Sequence, residues 1–65
     1  MKIVYQGKEE ETTVLTVGEF LKGKGVAAAA AVVEYQGGIH APGDNLDMPL
    51  VENATLNAFR IVAGG

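Results

Sequence analysis

The chain has 65 residues, a net charge of −3 and no cysteine. That length makes one domain, 1–65, with a marginal core, because a chain of this size buries only about 60% of the surface its unfolded form exposes. Disulfides and thiolate-bound metals are excluded, and the acidic balance argues against nucleic acid as the main partner, since phosphates call for a basic face.

The longest apolar run, Val26 to Val33, is too short to span a bilayer, so no membrane is expected as a partner. Met1-Lys2 leads into an alternating segment and not into a secretory leader. The expectation is a cytoplasmic protein.

Met1, Ile3 and Tyr5 alternate with Lys2, Val4 and Gln6, the period of a strand. Gln6-Gly7-Lys8 is a turn candidate, because Gly7 accepts a positive φ. Glu9-Glu10-Glu11 reads as a solvated acidic edge. Thr12 to Leu15 is β-branched and apolar, which predicts the second arm of a hairpin.

Thr16-Val17-Gly18-Glu19 has the form of a capping box, in which the Thr16 hydroxyl accepts from the Glu19 amide and the Glu19 carboxylate reaches back. Val17, Phe20 and Leu21 then share one helical face, and Gly23 or Gly25 stops the helix. Two turns of helix are not stable alone and need a sheet to lie on.

Ala27 to Ala31 is ambiguous, since alanine favours helix while Val32, Val33 and Tyr35 favour strand. The reading is a strand over about 30–36 with Val33 and Tyr35 inward, then a turn at Gln36-Gly37-Gly38. From Ile39 to Pro49 there is no clean period. Pro42-Gly43-Asp44-Asn45 and Met48-Pro49 mark loops, a short strand fits Ile39-His40, and Leu50 is a candidate core plug. Thr55 to Val62 reads as the last strand, with Leu56 and Ala58 on one face and Asn57, Phe59 and Ile61 on the other. Apolar residues on both faces suit a central strand, or one whose second face meets a partner. The predicted architecture is α+β, a four- to five-stranded mixed sheet with one main helix packed on one face.

No internal catalytic site emerges. Gly18 to Gly25 has the glycine and lysine spacing of a phosphate loop, but Gly25 stands where Ser or Thr would bind magnesium, and the segment is itself the helix. His40 is the single histidine and has no nucleophile to serve. Asp44, Asp47 and Glu52 lack calcium-loop spacing and read as solvated loop carboxylates. Neither a bound cofactor nor a metal is expected.

What remains is the end of the chain, Arg60-Ile61-Val62-Ala63-Gly64-Gly65. Two glycines without Cβ atoms make a thin tail able to enter a narrow channel. The Gly65 α-carboxylate, ionised at pH 7, is a poor electrophile until one oxygen becomes a leaving group, as adenylation with ATP makes it.

These features resemble the ThiS/MoaD-type ubiquitin-like sulfur carriers. The resemblance covers nearly the whole chain. It rests on the Met1-Lys2-Ile3 start, on Thr16-Val17-x-Glu19-x-Leu21 at the helix, on the strand and turn from Val33 to Gly37, and above all on the Phe59-x-x-Val62-Ala63-Gly64-Gly65 end. The length resembles the thiamine branch.

The resemblance implies a β-grasp (ubiquitin-like) fold with a flexible tail over 62–65. It also implies a carrier that is not itself an enzyme and is a monomer when free. A ThiF-like adenylyltransferase uses ATP to make the Gly65 acyl-adenylate. A persulfide from a cysteine desulfurase route supplies sulfur, and thiazole synthase takes it from the thiocarboxylate for thiamine. By the family's geometry Leu56 and Ala58 lie beneath the helix. Phe59 and Ile61 lie on the open face with Val62, Ala63 and Gly64 as partner-binding residues, and Gly65 is the reactive group. Family members commonly carry Asp-Gly-Asp before the last strand where this chain has Glu52-Asn53-Ala54, and Asn53 tolerates the positive φ such a turn needs. Other readings are a carrier for molybdopterin or another sulfur pathway, a ubiquitin-like protein modifier, or an interaction module without terminal chemistry.

Overall fold

The computed structural model describes residues 1–61. Five strands and one helix follow in the order β1 (Lys2–Tyr5), β2 (Lys8–Glu11), α1 (Val17–Gly23), β3 (Ala31–Tyr35), β4 (Gly38–His40) and β5 (Ala54–Arg60). The strands form one mixed sheet in the order β2-β1-β5-β3-β4. β5 sits at its centre, parallel to β1 and antiparallel to β3. The helix lies on one face, its Val17, Phe20 and Leu21 buried with Ile3, Val33, Leu56 and Ala58. The fold is α+β of the β-grasp class.

Both hairpins turn on the same three residues, Tyr-Gln-Gly. Tyr5 pairs with Lys8 and Tyr35 with Gly38, so each loop has two central residues. Their φ values are positive throughout, 52° and 81° at Gln6-Gly7 and 52° and 84° at Gln36-Gly37. Positive φ at both positions is the type I′ geometry, whose twist matches that of paired strands.

The tight first turn corrects one expectation. Thr12 to Leu15 is not the second arm of the hairpin; the acidic run is. With Tyr5 opposite Lys8, the next partners are fixed as Val4–Glu9, Ile3–Glu10 and Lys2–Glu11. Turn geometry sets the register and outweighs the β-propensity of Thr12–Leu15. Three cations attend the run: Lys2 lies 3.7 Å from Glu9, the N-terminal ammonium 3.5 Å from Glu11, and Lys24 pairs with Glu10. A charged outer strand also discourages edge-to-edge pairing with another sheet.

Helix α1 begins as expected. The Glu19 amide donates to the Thr16 hydroxyl at 3.2 Å, but the Glu19 carboxylate accepts from that hydroxyl at 3.3 Å and not from the Thr16 amide. It ends in a Schellman motif, with Gly25 at φ 77°. Val26 donates to the Leu21 carbonyl at 2.9 Å and Gly25 to Lys22 at 3.0 Å. Ala28–Ala30 forms one turn of 3-10 helix before β3 starts, so the alanine run divides between both of its preferences.

The connection from β4 to β5, residues 41–53, which takes in most of the stretch without a clean period, is held by tertiary bonds. Leu46 and Leu50 are buried. The Leu46 and Met48 carbonyls accept from Gly18 (2.8 Å) and Val17 (3.0 Å) at the start of the helix. Tyr35 donates its hydroxyl to the Pro49 carbonyl at 2.8 Å and accepts from the Val51 amide at 3.1 Å. Asn53 takes φ 64°, the left-handed turn expected of it.

Candidate functional site: the uncovered face of the central strand

Alternation divides β5 cleanly. Ala54, Leu56 and Ala58 are buried beneath the helix, whereas Thr55 and Phe59 are exposed and Asn57 is half-buried on the opposite side. No element of the described chain covers that side. Phe59 is 55% exposed and Ile61, just past the strand, 49%. Phe59 lies outside the core.

Strand pairing places neighbours that periodicity in one segment cannot supply. Val32 stands directly across from Phe59, and Glu34 lies between Asn57 on one side and Ile39 on the other. Ile39 is 65% exposed. The result is an apolar strip of Ile39, Val32, Phe59 and Ile61. Asn57 Nδ2 donates to Glu34 Oε1 at 3.0 Å, which fixes one carboxylate at the border of the strip. Ile61 is held at its root, its amide donating to the Ala30 carbonyl at 2.8 Å.

Val62, Ala63, Gly64 and Gly65 lie outside the described residues, and so does the expected mobility of 62–65.

Several of the remaining candidates have local structural duties. The amides of Val17 and Gly18 are occupied by loop carbonyls, and Lys24 and Gly25 sit at the helix's C-terminal end. The segment that imitates a phosphate loop therefore offers no cradle of free amides. Asp44 accepts from the Ala41 amide at 2.8 Å, and Glu52 from the Lys2 amide at 2.9 Å. Asp47 is exposed, and His40 is half-buried on β4. Among the described residues no cluster of three side chains is placed to hold a metal ion, and no helix is long and apolar enough to cross a membrane. What the described residues present is an uncovered, partly apolar face along the central strand. Neither a family model nor a curated protein matches this chain.

Proposed function

We propose that this protein is a sulfur carrier whose Gly65 carboxylate is adenylated and then converted to a thiocarboxylate, for thiazole formation in thiamine biosynthesis. One observation carries the reading: the central strand of a β-grasp sheet exposes Phe59 on its uncovered face and leads into an exposed Ile61, immediately before Val62–Gly65 in sequence. An enzyme that docks on that face receives the chain end next to it.

The chemistry follows from the weak electrophilicity of a carboxylate. A ThiF-like adenylyltransferase joins the Gly65 carboxylate to the α-phosphate of ATP and releases pyrophosphate. The terminal sulfur of a persulfide, supplied by a cysteine desulfurase route, displaces AMP. Cleavage of the S–S bond by a thiol leaves the thiocarboxylate, which thiazole synthase consumes. The carrier contributes the docking face and a thin tail; the activating enzyme contributes the ATP site.

Intact mass tests the reading. The untreated chain should have a mass ending at Gly65. Incubation with the adenylyltransferase, ATP and a sulfur donor should replace one oxygen by sulfur. An isopeptide adduct on a lysine marks a protein modifier instead, and no change with a demonstrably active enzyme marks an interaction module.

A further inference from the structure

We propose that Gln6 is a positioning residue for the C-terminal segment. Its carboxamide holds the end of β5 in place of a β1 strand that has already stopped.

The parallel ladder between β1 and β5 ends at Tyr5–Leu56, followed by one bond from the Gln6 amide to the Leu56 carbonyl at 3.1 Å. There the main chain turns away through Gln6-Gly7. β5 runs on to Arg60, still paired with β3 on its other side. A cavity of about 290 Å³ lies at this end of β5, lined by Tyr5 and Gln6 on the β1 side, by Ala30 and Ala31 on the β3 side, and by Ala58 and Arg60 between them.

One group bridges that gap. Gln6 Nε2 donates to the Ala58 carbonyl at 2.9 Å, and Gln6 Oε1 accepts from the Ala58 amide at 3.3 Å. A primary amide carries the donor and acceptor of a peptide unit, so the side chain does for Ala58 what the next residue of a longer β1 would do. Ala58 is two residues before Arg60 and three before Ile61, the root of the segment that the carrier reading sends into an activating enzyme. Held on both sides, that root is ordered before binding. Held on one side, it must be ordered during binding. Ordering a single residue corresponds to about a five- to thirtyfold change in apparent affinity.

The inference rests on the carrier reading, and its test separates the two. Full-length wild type, Gln6→Asn, Gln6→Glu and Gln36→Asn are compared by amide hydrogen exchange and by pyrophosphate release with a ThiF-like adenylyltransferase. Asparagine keeps the left-handed turn but falls one methylene short of Ala58. Gln6→Asn should speed exchange at the Ala58 amide about tenfold or more, while Asn57 and Phe59, which bond toward β3, keep their protection. Its KM for the carrier should rise about fivefold or more with kcat within twofold. Gln36→Asn loses a similar bond at the far end of β5 and should leave KM unchanged. Should Gln6→Asn fail to fold, Gln6→Glu gives both states in one chain: its protonated carboxyl can donate to Ala58 and its carboxylate cannot. Ala58 protection should then return as pH falls. Unaltered Ala58 exchange in Gln6→Asn, an unaltered KM, or an equal KM rise in Gln36→Asn overturns the proposal. A wild-type chain that is never activated sinks the carrier reading and the positioning role with it, whatever the exchange at Ala58.

Discussion

Gln6 and Gln36 grip the same strand from opposite sides. Gln6 bonds the Ala58 amide and carbonyl through its side chain. Gln36 accepts from the Thr55 amide at 3.0 Å through its own and donates its backbone N–H to the Thr55 carbonyl at 3.1 Å. Each stands at the first central position of a two-residue turn after a tyrosine. The Gln36 side-chain bond alone is expected to contribute about 1 kcal/mol. Gln36→Asn should lower the urea midpoint by the equivalent amount without altering the slope of the transition.

Gln6→Glu should make stability depend on pH in a known direction. The introduced carboxyl faces the Ala58 carbonyl, so folding favours its protonated form and raises its folded-state pKa above the unfolded value. That stability is present below the unfolded pKa and is lost as pH rises through the folded one. Relative to wild type, the variant should recover stability as pH falls from about 6 to about 4, around the ordinary glutamate value of about 4.3. Parallel urea titrations of both chains across that range check it.

Phe59 and Leu56 lie three residues apart on one strand but on opposite faces, one 55% exposed and the other fully buried. Phe59→Ala should change folding stability by less than about 1 kcal/mol while, under the proposed carrier function, weakening docking of a ThiF-like adenylyltransferase by about tenfold or more. Leu56→Ala should cost about 2–5 kcal/mol and leave so small a domain largely unfolded. Circular dichroism melts and titration calorimetry separate the two outcomes. A cooperative fold lost in Phe59→Ala would contradict this division of the strand.

Asn53, at φ 64°, should accept glycine with a stability change within about 0.5 kcal/mol. Valine, which resists that conformation, should cost about 1–3 kcal/mol. Thermal midpoints of the two variants provide the measurement.

Much of the architecture was legible locally. The Thr16 cap, the Val17-Phe20-Leu21 stripe, the inward Val33 and Tyr35 and the two-faced last strand all follow from short-range period and end signals. The second hairpin arm was not. Thr12–Leu15 has the better strand composition, but the Gln6-Gly7 turn assigns the partners. The course of 41–53 was not legible either, because it depends on the Tyr35 hydroxyl, the start of the helix and burial of Leu46, all remote in sequence. For the uncovered face, alternation along β5 pointed to Phe59 and Ile61. Val32 and Ile39 escaped notice because their membership depends on which strands are neighbours. The paired Tyr-Gln-Gly segments were the available signal for the grip on β5, since the same tripeptide precedes both turns.

The strand at the centre of the sheet is also the last of the described strands in chain order. As the chain is synthesised, β1–β2 and β3–β4 emerge as separate hairpins with no shared neighbour, and a lone hairpin is marginal in water. Neither can be locked until β5 slots between them, parallel to one and antiparallel to the other. Folding therefore waits for β5 and proceeds through distant contacts, which slows it. It also ties two events together: the uncovered face that carries Val32, Ile39 and Phe59 is assembled only when β5 is in place, so that face and the core beneath the helix form at once.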